Sequence, residues 1–263
     1  MKKIIMSLLA AAVVLTTTGC SNDGEKDTTT TTTAPEAQQT TVAYQAPETP
    51  DTTAEALEYL KGKIPLFVKY LETRRSFPLT YEVETRTADG VSTAGLYIKD
   101  KDTIAFTSAD YTGASDNTIY DGTNMYYIVH HEKIAYIRNE LPIETTTDVV
   151  ENNLLKLDIW DVSSYKYDKG VKEFEGKTYN YEATIDSNGN ASEYYFNQET
   201  DALEVVIAGG TPTYVTRIDN TVDDSIFEVP EDYEKGDLDE YLNNLIADKR
   251  AAAAEAAATA EAE

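Results

Sequence analysis

The stretch "GKTYNYEATIDSNGNASEYYFNQETDALEVVI", residues 176–207, indicates most clearly how this chain folds. Aromatic and β-branched residues alternate with polar ones over 177–185, 191–197 and 203–208, which is the period of a half-buried β-strand. Between the first two runs, "DSNGNA" at 186–191 has the composition of a tight turn. The pattern predicts three consecutive antiparallel strands.

The same alternation of strand and turn continues on both sides of this stretch. Asp89-Gly90 predicts a hairpin between strands at 81–86 and 91–99. Further β-prone runs lie at 103–109, 118–120, 125–130, 134–138, 165–174 and 213–218. Turns at such regular intervals predict an antiparallel meander of about 10–11 strands.

Three other segments have helical spacing. Apolar residues recur every three or four positions over 53–76, where Pro65 predicts a kink or break, and again over 148–160. From Leu238 the chain is helical and then alanine-rich. The predicted fold class is therefore α+β, an incomplete antiparallel β-barrel covered by helices. We assign this half-barrel domain to 51–236 and the C-terminal helix and tail to 237–263.

The first nineteen residues have the order of a bacterial lipoprotein signal. Lys2 and Lys3 precede an apolar run at 4–15, small residues follow, and Cys20 is the single cysteine of the chain. Leu15 stands further from Cys20 than is usual in a lipobox. An unpaired cysteine in an exported protein needs a use, so we predict that Cys20 is acylated and anchors the chain to a membrane. The alternative is an ordinary secreted protein in which Cys20 is incidental.

Residues 20–50 are rich in threonine and proline and have almost no large apolar side chain. Such a segment buries too little surface to fold, so the sequence predicts a disordered tether. About thirty flexible residues span roughly 30 Å. The predicted location is extracytoplasmic, with the domain lipid-anchored to the cell membrane.

Charge excludes one class of partner. The chain has 47 acidic and 22 basic residues, which gives a formal net charge of −25. No basic patch is available to replace the counterions of phosphate, so nucleic acid is excluded as a partner. Electrostatic docking on anionic lipid is equally unfavourable.

The chain contains 19 tyrosines, many of them in the predicted strands. Strand alternation predicts that ten side chains on one apolar face line a hydrophobic cavity beneath the helices. These residues are Tyr81, Val83, Phe106, Met125, Tyr127, Tyr136, Tyr179, Tyr181, Leu203 and Val205. The alternative is that the helices fill the space completely and the aromatic residues are only core.

The order of these elements resembles a known superfamily. An N-terminal helix, a ladder containing "TIYDGTNMYYIVHHEKIAYI" at 118–137, a central helix, the ladder at 176–207 and the exit "DDSIFEVPEDYEK" at 223–235 succeed one another. This order is similar to the envelope lipoprotein carriers and lipoproteins typified by LolA and LppX, over roughly 53–235. The resemblance implies a half-barrel with helices over a lipid-sized apolar cavity. It transfers no functional residue, and Cys20 departs from the soluble shuttles.

Catalytic patterns are missing from the sequence. The folded part has no cysteine, and no G-x-S-x-G turn is present. His130 and His131 are adjacent, so in a strand they face opposite sides and share no metal. The run starting at Asp186 departs from a calcium loop in its glycine and its twelfth position. The sequence therefore predicts a non-enzymatic protein without a cofactor or a metal.

Two interpretations remain. The first is a membrane-tethered module that binds a lipid, or the acyl chain of another lipoprotein, and it requires a cavity. The second is an envelope sensor or protein-interaction domain with a filled core, and it requires an exposed surface for a partner.

Overall fold

The structure, a computed structural model, describes residues 53–140 and 162–260. Within these residues twelve strands form a single sheet. Their bounds are β1 (Leu79–Thr87), β2 (Gly90–Ile98), β3 (Ile104–Ala109), β4 (Ser115–Tyr120), β5 (Met125–Val129), β6 (Ile134–Arg138), β7 (Lys166–Phe174), β8 (Lys177–Ile185), β9 (Ala191–Asn197), β10 (Leu203–Ala208), β11 (Thr211–Asp219) and β12 (Glu234–Asp237).

The strand order across the sheet is β12-β6-β5-β4-β3-β2-β1-β11-β10-β9-β8-β7. Every neighbouring pair is antiparallel except β12 and β6, which run parallel. The two edge strands, β12 and β7, do not pair with each other, so the sheet is open. The α+β class and the antiparallel meander are confirmed with one or two strands more than expected, whereas the half-barrel curvature stays a prediction.

The helices are α1 (Thr53–Lys61), α2 (Pro65–Arg74) and α3 (Leu238–Ala260), with a short 3₁₀ helix at Asp224–Phe227. The break expected at Pro65 separates α1 from α2. Pro65 is the first residue of α2, a position at which a backbone N–H would have no acceptor within the helix, so proline costs no hydrogen bond there. Four sequence predictions lie outside the described residues: the signal peptide at 1–19, acylated Cys20, the tether at 20–50 and the central helix at 148–160.

The two sides of the sheet are covered differently. We call the side that packs against α1, α2 and α3 the helix face, and the other side the groove face. Phe67 of α2 packs with Tyr194 on the helix face, and Leu238 of α3 packs with Tyr127 on the same face. On the groove face, the segment that contains the 3₁₀ helix packs on the β2–β6 half.

A buried carboxylate fixes the start of α2. Glu182 of β8 is 3% exposed, and it accepts hydrogen bonds from the backbone N–H groups of Leu66 at 3.1 Å and Phe67 at 2.7 Å. Ile64, the N-cap residue of α2, provides no side-chain cap. Glu182 therefore supplies the missing acceptor and a favourable negative charge at the helix N-terminus.

Candidate functional site

The structure divides the ten residues predicted to line one cavity between the two faces. Strand alternation and cross-strand registers place seven on the helix face: Tyr81, Val83, Phe106, Met125, Tyr127, Tyr136 and Leu203. The other three, Tyr179, Tyr181 and Val205, form a cluster with Tyr195 on the groove face. The expectation of a single apolar face is therefore wrong.

A β-bulge in β10 accounts for part of this division. Leu203 pairs with Phe196 and Val205 pairs with Tyr195, so the register shifts between them. The additional residue, Glu204, reverses the alternation. Leu203 consequently packs under α2, whereas Val205 lies on the groove face. In β8 the aromatic residues lie on the groove face, and the polar residues Asn180 and Glu182 lie on the helix face.

The seven side chains on the helix face belong to different regions. Leu203 lies under α1 and α2, and Met125, Tyr127 and Tyr136 lie under α3. Aromatic rings hold α3 there, because Tyr241 stacks on Tyr136 with ring centres 4.2 Å apart.

Between these two regions lies a third, which we call the middle cluster. Its members are Leu79, Leu96, Ile98 and Ile104, which are buried, and Tyr81, Phe106, Tyr120 and Ile218, which are half-buried. In the part of the chain that the structure describes, no helix contributes a residue to this cluster. Of the predicted lining residues, Phe106 therefore keeps apolar surface available on the helix face. Tyr81 also packs against the cluster under α1 and α2, and its ring centre lies 6.1 Å from that of Tyr70.

The groove face carries an open groove of about 550 Å³ over β1, β8, β10 and β11. Its lining mixes apolar and charged residues. It includes Tyr179 and Val205 of the predicted set, together with Leu203, whose side chain packs on the helix face. The lining residues are Glu84, Arg86, Glu175, Tyr179, Ala202, Leu203, Glu204, Val205, Tyr214, Val215, Thr216, Arg217 and Ile218. This groove is open to solvent and has a partly charged lining, so it differs from the enclosed apolar cavity that the sequence predicts.

Ion pairs and an aromatic ring build one wall of the groove. The Arg86 guanidinium lies 4.0 Å from the centre of the Tyr214 ring, and its Nε donates to Glu84 Oε1 at 2.7 Å. The Tyr214 hydroxyl donates to Glu175 at 2.8 Å. Partial burial, and then the Glu175 carboxylate, raise the pKa of Tyr214. The wall therefore presents both signs of charge around an aromatic surface.

A polar network continues the groove face across β7, β8 and β9. Glu193 accepts hydrogen bonds from Lys172 at 2.7 Å, Tyr195 at 2.6 Å and Tyr181 at 3.3 Å. Burial opposes the charged form of Glu193, but the hydrogen bonds from Lys172 and Tyr195 lower its pKa. Burial and the neighbouring Glu193 charge raise the pKa of Tyr181 to about 12. The Glu193 carboxylate is therefore paired with three donors, one each from β7, β8 and β9.

The two histidines lie in the β5–β6 turn, because β5 ends at Val129, one residue earlier than expected. His130 Nδ1 is 3.0 Å from the Tyr233 hydroxyl, and His131 Nε2 is 3.5 Å from Glu132. Over 53–140 and 162–260, His, Cys, Asp and Glu residues form no group of three placed to hold a metal ion. No helix within these ranges combines the length and the apolar character needed to cross a bilayer.

The sequence alone did not identify two buried charged residues at the two ends of α2. Glu182 of β8 contacts the start of the helix, and Arg74 is its last residue. Arg74 follows Phe67, Tyr70 and Leu71 on the buried side of α2. The helical spacing of 67, 70, 71 and 74 was the available signal, since it places a cation on the apolar side of the helix.

Several solved structures are similar to part of the chain. An uncharacterized conserved protein from Thermus thermophilus matches with a TM-score of 0.38 and 10% identity, over 65% of this chain and 96% of that one. The MucA/MucB complex of Pseudomonas aeruginosa matches with a TM-score of 0.36 and 12% identity, over 65% of this chain and 60% of that one. A LolA superfamily protein from Nitrosomonas europaea matches with a TM-score of 0.26 and 9% identity, over 61% of this chain and 96% of that one.

The superfamily that the sequence resembles is represented among these structures. All three TM-scores lie below 0.5, and the chain spans less than two thirds of the matched chain in the MucA/MucB complex. No protein-family profile and no curated protein matches the sequence.

Proposed function

We propose that this chain is an extracytoplasmic, non-enzymatic binding protein that holds a hydrophobic ligand, a lipid or an acyl chain, on its helix face. The proposed site is the middle cluster, and Cys20 is the proposed acylated anchor to the membrane. Residues 20–50 would act as the tether between the anchor and the domain.

One observation carries the proposal. The regions on either side of the middle cluster are each packed by a helix, whereas no helix of the described residues joins the middle cluster. Its half-buried members Phe106 and Tyr120 retain apolar surface between α2 and α3, and Tyr81, which packs against Tyr70 of α2, borders that surface. Burying that surface against an apolar ligand is favourable by about 25 cal/mol for each Å² removed from water.

Ligand retention tests this function. The full chain with Cys20→Ser, which lacks acyl groups of its own, would be purified from bacterial cells and examined by native mass spectrometry with lipid extraction. We expect co-purified acyl species, and displacement of a fluorescent fatty acid by added palmitate. Phe106→Asp places a charge on the middle cluster and should abolish both signals.

The matched control is Val91→Asp, which introduces the same charged residue on the neighbouring strand β2. Val91 is 48% exposed and pairs with Arg86 on the groove face, so this change should leave ligand binding intact. Cooperative urea unfolding of both variants establishes that they fold. A Cys20→Ser chain that carries no acyl species and takes up no fluorescent fatty acid contradicts the proposal.

The anchor is tested separately. In bacterial cells the wild-type chain should fractionate with membranes, and its N-terminal peptide should carry the mass of acyl groups on Cys20. Cys20→Ser should move the chain to the soluble fraction. Recovery of an unmodified Cys20 peptide from membranes would refute acylation while leaving the ligand site untouched.

A second candidate function is recognition of a protein partner through the groove, because the groove is open and its wall carries both signs of charge. The test is photo-crosslinking from a benzoylphenylalanine at position 214, compared with exposed position 171 on β7. A discrete adduct at 214 that disappears with Arg86→Glu supports a partner in the groove. Identical adducts from both positions indicate collisions at the surface.

A further inference from the structure

A buried arginine on the helix face lacks a counter-charge. Arg74, the last residue of α2, is 8% exposed, and its guanidinium carbon lies 5.2 Å from the Tyr81 ring centre and 6.0 Å from that of Tyr70. Among the described residues, no carboxylate lies within ion-pair distance of Arg74. The aromatic rings offset part of the cost of burying this cation, but they do not replace an anion.

Two hydrogen-bond donors at this position are unused. Arg74 Nε and the Tyr70 hydroxyl are both buried, and neither makes a hydrogen bond of normal geometry in the part of the chain that is described, although the Tyr81 side chain interacts with Tyr70. Tyr70 is 5% exposed. Buried polar groups are nearly always paired, so two such donors four residues apart on one helix need an explanation. The chain has 47 acidic residues but places none of the described ones against this cation.

We propose that Arg74 and Tyr70 bind the acidic headgroup, a carboxylate or a phosphate, of an amphiphile whose apolar chain lies on the middle cluster. The inference rests on the hydrophobic-ligand function proposed above and names the class of ligand. A guanidinium offers paired donors that match both acidic groups, and the Tyr70 hydroxyl adds a third donor.

Tyr81 joins the two parts of the site. Its ring lies 5.2 Å from the Arg74 guanidinium carbon, and the same side chain packs against the buried members of the middle cluster. A ligand with its acidic head at Arg74 therefore has apolar surface next to it, on the side of Tyr81 that faces β2 and β3. This juxtaposition favours a single-chain amphiphile with one acidic end.

The test compares amphiphiles that differ only in the headgroup. The full chain with Cys20→Ser would be titrated with palmitate and with methyl palmitate, by displacement of one fluorescent fatty acid. Acetate and inorganic phosphate are titrated as headgroups without chains, and lysophosphatidate carries the phosphate on a chain. We expect palmitate to bind at least about tenfold more tightly than its ester, which corresponds to about 1.4 kcal/mol.

Two variants locate the effect. Arg74→Gln should remove the preference for palmitate over the ester, and Tyr70→Phe, which keeps the ring, should reduce it severalfold. The control is Lys69→Gln, which removes a positive charge from the same helix at a side chain that is 62% exposed, and it should keep the full preference.

The outcomes separate the two proposals. Equal binding of palmitate and ester by the Cys20→Ser chain, unchanged when Arg74→Gln is added, overturns the headgroup site and leaves the hydrophobic-ligand function standing. Binding of neither amphiphile overturns both. A preference that survives in Arg74→Gln and disappears in Lys69→Gln places the acidic head elsewhere and also refutes the inference. Comparing lysophosphatidate with palmitate on the same variants decides between a phosphate and a carboxylate headgroup. Displacement of the fluorescent fatty acid by acetate or phosphate alone would show that the acyl chain of the ligand is dispensable for binding, which would refute the inference.

Discussion

The contact between Glu182 and the start of α2 gives the sharpest prediction about stability. Glu182→Ala removes the acceptor of two backbone hydrogen bonds, at 3.1 Å and 2.7 Å, and leaves the N–H groups of Leu66 and Phe67 without their partner. Hydrogen bonds to a charged group contribute about 1.5–3 kcal/mol each, so the gross loss is about 3–6 kcal/mol.

The cost of burying the carboxylate reduces this figure. Burial raises the pKa of Glu182 above its usual value, although the N–H groups of Phe67 and Leu66 oppose the rise. The ionised form is therefore less favourable in the fold than in the unfolded chain, and we expect a net loss of about 3 kcal/mol for Glu182→Ala. Glu182→Gln keeps one acceptor and avoids the buried charge, so its loss should be about 1 kcal/mol.

Urea unfolding of the full chain, followed by circular dichroism, measures these losses, and hydrogen exchange locates them. Exchange at the amides of residues 66–74 should accelerate in Glu182→Ala, about tenfold for each 1.4 kcal/mol lost locally. Glu72→Ala, an exposed position on the same helix, is the control and should stay within about 0.5 kcal/mol of wild type. A loss below about 1 kcal/mol in Glu182→Ala, with unchanged exchange in α2, would refute the reasoning.

Three further predictions concern other buried contacts. Asp116 is 3% exposed and accepts a hydrogen bond from the Tyr127 hydroxyl at 3.0 Å. Because burial raises the pKa of Asp116, the wild-type protein should lose stability as the pH rises from about 4 through the raised pKa. Urea unfolding at several pH values should show this loss in the wild-type protein and not in Asp116→Asn. Tyr241→Ala removes the ring stacked on Tyr136 and should cost about 2 kcal/mol and speed hydrogen exchange in α3, whereas exposed Ile246→Ala should do neither. Gly236→Ala would place a Cβ 2.7 Å from the Tyr136 ring and should cost about 1–3 kcal/mol in thermal or urea unfolding, while Lys235→Ala beside it should be close to neutral.

Local patterns predicted the strands well. The runs at 177–185, 191–197 and 134–138 coincide with β8, β9 and β6. The hairpin predicted at Asp89-Gly90 joins β1 to β2, but its turn lies one residue earlier, at Ala88-Asp89, and Gly90 is the first residue of β2. These features depend on alternation and turn chemistry within a few residues, and the sequence contains both. The break at Pro65 is local for the same reason.

The candidate site was predicted less well, because it depends on which side of the sheet each residue faces. A one-residue bulge at Glu204 is enough to send Leu203 and Val205 to opposite faces. In β8, the aromatic side chains lie on the groove face and Glu182 lies on the helix face. There Glu182 accepts the hydrogen bonds of the first N–H groups of α2, a contact that the alternation within β8 does not reveal.

By itself, the sequence determined the fold class, the order of the strands along the chain and the helices on either side of Pro65. The tertiary structure alone decided the parallel pairing of polar β12 with β6, the division of the apolar residues between two faces, and the burial of Arg74 and Glu182. The physical reason is that periodicity and turn propensity act between near neighbours in the chain. Register, bulges and buried charges are instead fixed by contacts between residues such as Phe67 and Glu182, which lie 115 positions apart.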